Sequence, residues 1–342
     1  MHPEQSMKTF AYASSLLLFL FNVLNVSCRN TASNALSSQG SVDHQIELFN
    51  SEHLYFQQND NKRTVVKTHL LPSENAFDTV ILTFDLSCPN NLCDWWDRSG
   101  ELSIINENGE AYELLRFKTP YRVGATWSVD ISDFLPLLHG KKDFAVFIDT
   151  WVKPGSPQGD GWLVTAKLDY KRTNRAKKAT EVIPVFTPRN EVYGESNHDA
   201  QLSKRISASK SFQSARLLSY ITGHGQGNTE NCAEFCPKHH MISIADKAIE
   251  PLIWRDDCNK TVTKGPQMGT WQYSRAGWCP GDKVDPILLE IDNLPPGHWQ
   301  VTWKPEAYEN ELNKDYDQNG HTEPFYRVSS YLVLYEHVEK VK

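Results

Sequence analysis

The sequence has no excess of positive charge. Its formal net charge is −7, and its lysines and arginines are not gathered into a recognisable nucleic-acid motif. Because gripping a phosphate backbone needs a basic face, a nucleic-acid partner is excluded. The densest positive stretch, Lys171-Arg172 to Lys178, reads as a solvated linker. No long segment has the period of an amphipathic helix and no internal repeat is visible, so neither a helical bundle nor a repeat array is indicated. The apolar run from Ala11 to Leu24 falls short of the roughly 20 residues a bilayer-spanning helix needs and is interrupted by Asn22. With Lys8 before it and Val26-Ser27-Cys28 after it, the run has the charge, length and small-residue exit of a signal peptide, so residues 1–28 are expected to direct export.

There is also no Cys-x2-Cys pair among the seven cysteines. Cys28 stands apart, a candidate for lipid anchoring to a membrane after cleavage, with soluble secretion as the alternative. The remaining six form an even set, as expected of an exported disulfide framework. Spacing suggests Cys88 with Cys93, Cys232 with Cys236 and Cys258 with Cys279, although sequence alone leaves other connectivities open. A zinc site using the short cysteine pairs and the adjacent His239 and His240 is the competing reading, and an oxidising compartment disfavours it. No metal or other cofactor is expected.

What the chain does have is a period of two. Thr79 to Leu86, Glu101 to Asn106, Asp143 to Val152, Gly161 to Tyr170, Ser211 to Ile221, His240 to Ala245, Pro286 to Asp292, His298 to Trp303 and Tyr326 to Tyr335 are rich in Val, Ile, Tyr, Trp and Thr, with turn residues between them. This predicts an all-β protein built of antiparallel sandwiches. The mature chain is long for one core and comfortable for two. Residues 29–60, rich in Ser, Asn and Gln, read as a flexible leader or a loosely attached edge, followed by domains at 61–178 and 179–342.

Three blocks suggest a preformed polar site. Glu234 lies inside Cys232-Ala-Glu-Phe-Cys236, so pairing of these cysteines would pin a carboxylate on a small covalent ring. Asp97 and Arg98 follow the loop Cys88-Pro-Asn-Asn-Leu-Cys93, and Arg275-Ala-Gly-Trp278-Cys279 sets an arginine and an indole beside another cysteine. In Phe147-Ile-Asp149-Thr-Trp151, strand alternation would place Phe147, Asp149 and Trp151 on one face.

These blocks carry a resemblance to the bacterial peptide-N-glycosidase F family, through CPNNLCDWWDR at 88–98, FKTPYRVG at 117–124, CAEFC at 232–236 and RAGWCPG at 275–281. They occur in family order and cover most of the chain after about residue 75. The resemblance implies two adjacent eight-stranded antiparallel jelly-roll sandwiches with the site at their interface. It implies an amidase that hydrolyses the bond between N-acetylglucosamine and asparagine in N-linked glycoproteins or glycopeptides, releasing the glycan and leaving aspartate. Its catalytic acids fall on Asp97 and Glu234, and a third family glutamate is Asp149 here. Arg98, Tyr121, Trp151, Arg275 and Trp278 fall on positions that line or support the cleft and are expected to bind substrate. Two departures stand out: the tryptophan after the cysteine-flanked glutamate is Phe235, and the family's Gly-Trp-Gly-His reads Gly223-His224-Gly225-Gln226.

Such a site must orient water, stabilise charge on the carbonyl oxygen and protonate the departing amine. Asp97 is the candidate proton-handling group, Glu234 the residue that holds a water or sugar hydroxyl. The alternatives are a glycoside hydrolase, which would also use two acids, a non-catalytic glycan-binding protein on the same sandwich, and a copper monooxygenase prompted by His239-His240-Met241, for which the first domain offers little beyond His139. An exported monomer, periplasmic, secreted or anchored at the cell surface, is expected.

Overall fold

Alternating burial builds the architecture strand by strand. In Thr79–Ser87, Val80, Leu82, Phe84 and Leu86 are buried, and in Trp162–Lys171 so are Trp162, Val164, Ala166, Leu168 and Tyr170, while the residues between them are partly exposed. One face of each strand therefore enters a core. The computed structural model describes residues 43–194, 200–208, 211–261, 267–312 and 322–337, and these belong to one compact unit.

His44–Leu54, Trp162–Lys171, Thr79–Ser87 and Ala125–Asp130 pair in that order into one antiparallel sheet. A second, of Thr64–Leu71, Gly140–Ile148, Ser99–Ile105 and Ala111–Lys118, packs on it through Leu102, Ile104, Phe117, Phe144 and Val146. The later chain repeats the plan. Lys177–Val192, Phe325–His337, Phe212–His224 and Ile287–Leu294 form a third sheet, packed on a fourth of Leu202–Ala208, Gly297–Pro305, Lys238–Ile244 and Lys247–Ile249. The all-β jelly-roll reading holds.

The described part of residues 29–60 is an edge of the first sheet rather than a flexible leader. From His44 onward it is strand, because Leu48, Phe49 and Leu54 supply apolar anchors that the polar composition of the segment obscured. Likewise Lys177 and Lys178 belong to the strand Lys177–Val192, which shortens the basic linker. The strand through Phe147 ends at Ile148, before Trp151. Burial still alternates beyond its end, with Ile148 and Thr150 buried and Asp149 and Trp151 more open.

The two pairs of sheets meet across Ala111–Lys118. Between Leu102 opposite Leu115 and Ser103 opposite Glu113 the register slips, leaving Leu114 unpaired. Such a bulge reverses the alternation, which brings Glu113 onto the same face as Arg116. Arg116 Nε and Nη2 grip the Glu113 carboxylate at 2.6 and 2.8 Å, and its remaining N–H groups donate to the Arg327 carbonyl at 2.8 Å, Ser329 Oγ at 3.2 Å and Thr222 Oγ1 at 3.3 Å. Tyr331, Val333 and Tyr335 join the first core across the same seam. The seam thus buries charged as well as apolar side chains.

Candidate active site

Charged residues near this seam form the candidate site. The loop after the Cys88–Cys93 disulfide is held by an acid that the sequence analysis passed over, Asp94, whose side chain is fully buried. It accepts hydrogen bonds from Arg98 Nε at 2.8 Å, Thr150 Oγ1 at 2.6 Å and the Trp96 amide at 3.1 Å. Arg98 N donates to Thr119 Oγ1 at 2.8 Å, and Thr119 Oγ1 donates to the Trp96 carbonyl at 3.2 Å. Both neighbours of Asp97 are therefore fixed, and Asp97 itself is left to point elsewhere.

It meets Tyr121 and Arg275. The Tyr121 hydroxyl donates to Asp97 Oδ2 at 2.8 Å and lies 3.0 Å from Thr270 Oγ1, which in turn accepts from Arg275 Nη2 at 2.8 Å. Burial and the Asp97 charge push the Tyr121 phenol up, so it stays a donor. Arg275 is fully buried, and its Nη1 donates to the carbonyls of Thr270 and Tyr273. Held in this way, Arg275 reaches Asp97 Oδ2 at 3.8 Å through Nη2 and Glu234 Oε1 at 3.4 Å through Nε. One buried guanidinium bridges acids from two distant parts of the chain.

Glu234 is placed by backbone as well as by the Cys232–Cys236 disulfide. Its amide donates to the Gly225 carbonyl at 3.2 Å, and its carbonyl accepts from the Ala276 amide at 2.9 Å. This close stitching needs Gly223, since a Cβ there would come within 2.3 Å of the Ala233 carbonyl oxygen. Replacing both cysteines, Cys232→Ser with Cys236→Ser, is expected to lower turnover at least tenfold while changing stability by only about 1–2 kcal/mol, because the closed loop is short. Parallel activity assays and denaturant melts check this.

Desolvation pushes the Glu234 carboxyl up to about 7, with Asp97 adding to the rise and Lys118 and Arg275 opposing it. A carboxyl raised in the folded state stabilises the fold fully below its ordinary value near 4.5, and that contribution is lost as pH rises through about 7. Glu234→Gln, neutral throughout, is therefore expected to gain stability relative to the parent on going from pH 5 to pH 8, by up to about 3 kcal/mol. Denaturant melts at the two pH values measure it.

The third acid sits further out. Asp149 pairs with Arg63 Nη1 at 3.1 Å. The Arg63 guanidinium lies over Trp151 and Phe56, 4.5 and 4.8 Å from their ring centroids, and Asn61 Oδ1 accepts from its Nε at 3.2 Å. Trp151 remains 55% exposed. Of the residues expected to touch substrate, Trp151 alone presents an open face. Arg98 is committed to Asp94, Arg275 to the two acids, Tyr121 to Asp97, and Trp278, 1% exposed, is packed between Lys118 and Arg275 with its Nε1 donating to the Gly223 carbonyl. All four are thus held by protein partners, as buried charges and indoles require.

The residues of the competing zinc reading have other partners. Cys232 and Cys236 are bonded to each other, and His240 is buried among Trp303 and Tyr326 with Nδ1 accepting from Trp303 Nε1 at 3.1 Å. Burial pushes the His240 imidazolium down to about 3. A cleft of about 600 Å³ is lined by Trp127, Trp254, Arg255, Asp257, Gly277 and Asp285 among others. Its charges are spent on one another, Arg255 on Asp257 and Asp282 and Lys283 on Asp285, and it contains none of the three acids.

Paired sandwiches with an arginine-bridged carboxylate pair at their seam define a double jelly-roll protein with a hydrolase-like polar site. Residues 192–333 match the family described as peptide-N-glycosidase F, C terminal. The chain is 28% identical over 273 residues to the peptide-N(4)-(N-acetyl-β-D-glucosaminyl)asparagine amidase F of Elizabethkingia miricola, spanning 75% of this chain and 73% of that protein. Among solved structures, PNGase F from Flavobacterium meningosepticum, described as a glycosylasparaginase, superposes with a TM-score of 0.71 at 23% identity, covering 86% of this chain and 96% of that one. The structure of PNGF-II gives 0.66 at 19% identity, covering 87% and 66%. In its C-terminal part and across most of its length, the chain is similar to peptide-N-glycosidase F proteins.

Proposed function

We propose that this protein hydrolyses the amide between N-acetylglucosamine and asparagine in N-linked glycoproteins or glycopeptides. Water adds to the side-chain carbonyl, the nitrogen leaves on the sugar as a glycosylamine that loses ammonia, and aspartate remains in the peptide. The observation that carries the reading is the convergence of Asp97 and Glu234 on buried Arg275 at the seam, in a chain related to amidases of this specificity.

Asp97 takes the proton-handling role, with the Tyr121 hydroxyl fixing one of its oxygens. Glu234, as its carboxylate, accepts a hydrogen bond from water or a sugar hydroxyl. Asp149 is the outer acid, with the exposed Trp151 beside it offering a flat surface to sugar. Three disulfides support function outside the reducing cytoplasm. Among the described residues no helix is long and apolar enough to cross a membrane. Cys28, the lipid-attachment candidate, lies outside the described residues.

Incubation with a denatured N-glycoprotein tests the activity. Free glycan is expected to accumulate with time and enzyme concentration. Saturable binding of glycopeptide without any release would identify a glycan-binding protein instead.

A further inference from the structure

Lys118 is a cation that the roles assigned above leave unused. It ends the strand Ala111–Lys118, two residues beyond Arg116, and is buried at the same seam. Its Nζ lies 3.4 Å from His224 Nδ1 and 4.1 Å from the centroid of Trp278, whose ring also carries Arg275 at 4.8 Å. His224 is the departure noted in the sequence, standing where the family has tryptophan. Its imidazolium is disfavoured by burial and by Lys118, Arg116 and Arg327. The ring is therefore neutral, and with Nε2 donating to Thr222 Oγ1 at 2.9 Å, Nδ1 is free to accept from the Lys118 ammonium.

A buried ammonium needs acceptors or countercharges. No carboxylate oxygen of a described residue lies within ion-pair distance of Lys118 Nζ, yet Asp97, Glu234 and Asp149 all act on it electrostatically. Burial above all, with Arg275, outweighs the favourable pull of the three acids, so the Lys118 ammonium is held below the ordinary lysine range. The arrangement puts a positive charge among the site's acids without pairing it to one of them, so each acid keeps oxygens for substrate or water. An arginine would tend to pair by fork geometry, whereas a compact ammonium acts as a point charge.

We infer that Lys118, held by neutral His224 and the Trp278 face, is a positioning residue that supplies the electrostatic field in which Glu234 and Asp97 work. This inference rests on the proposed amidase reading for its catalytic meaning, but not for its test. The charged groups that act on Lys118 are Asp97, from the segment after the Cys88–Cys93 loop, Glu234, Asp149 and Arg275, while Arg116 and Arg327 act on its partner His224. Removing the ammonium takes away a charge that favours the Glu234 carboxylate, so that group should protonate at higher pH.

The direct test is carboxyl ¹³C titration of Glu234 in the full protein. In Lys118→Met, and equally in Lys118→Gln, the Glu234 midpoint is expected to rise by about one pH unit, and the acid limb of kcat/KM on glycopeptide to move with it. Lys118→Arg, which keeps the charge, should hold the midpoint within a few tenths of a unit. Coupling is reciprocal, so Glu234→Gln should lower the Lys118 midpoint, read at its ¹³Cε, by the same amount. That reading remains if the Lys118 variants do not fold. Superimposable Glu234 titrations in parent and a folded Lys118→Met, or an unmoved Lys118 in Glu234→Gln, would overturn the inference. Absence of turnover in the parent would instead overturn the amidase reading, leaving the titrations to decide on Lys118.

Discussion

Asp97→Asn is expected to abolish turnover, lowering kcat on the order of a thousandfold or more, because it removes the group that moves the proton while keeping its shape. Folding should be intact. Trp96 and Arg98 are anchored by Asp94 and Thr119, independently of the Asp97 carboxylate, and the amide can still accept from the Tyr121 hydroxyl. Glycopeptide binding, measured by calorimetry on the variant, should survive within a few fold. Substantial residual turnover in a correctly folded variant would remove Asp97 from the chemistry and shift the burden to Glu234.

The largest effect on stability is expected from Arg116→Met. The wild-type guanidinium satisfies the fully buried Glu113 with two hydrogen bonds and reaches three further acceptors on the other pair of sheets. Methionine fills most of the volume but leaves Glu113 with Ser329 Oγ, at 2.6 Å, as its remaining side-chain donor. Stripping one partner from a buried pair costs about 3–5 kcal/mol. Since Lys118 and His224 lie on the same two strands, turnover should fall with stability. Replacing both charges, Arg116→Met with Glu113→Leu, should recover much of the loss, because what is costly is the uncompensated charge. Denaturant melts of the single and double variants measure the difference.

Some strands were legible through one wet face, and others, such as Phe212–His224 and Phe325–His337, through a run of apolar and aromatic residues buried on both faces. Thr79–Ser87 and Trp162–Lys171 alternate cleanly because water takes every second residue. Ala111–Lys118 escaped because it lies at the seam and buries Glu113, Arg116 and Lys118 along with its apolar residues, so charge there does not mark the surface. His44–Leu54 was hidden by Ser, Asn and His between its anchors.

In the site, Asp97, Glu234 and Arg275 were legible because cysteines and family blocks marked them, and the structure brings all three together. Their supports were less so. Asp94 sits three residues from Asp97 in the same block, and only its zero exposure separates a structural anchor from a functional acid. Arg98, adjacent to Asp97 in sequence, turns instead to Asp94. Nothing in the sequence paired Arg63 with Asp149, since their contact depends on register between Thr64–Leu71 and Gly140–Ile148.

The central claim is amide hydrolysis at the sugar–asparagine bond, and the mass of the product peptide tests it most directly. A defined glycopeptide treated with the protein should lose its whole glycan and carry aspartate at the former glycosylation site, a gain of about one dalton over the asparagine peptide, as hydrolysis of a side-chain amide requires. A product that keeps one N-acetylglucosamine on asparagine would show glycosidic cleavage instead, and would contradict the account.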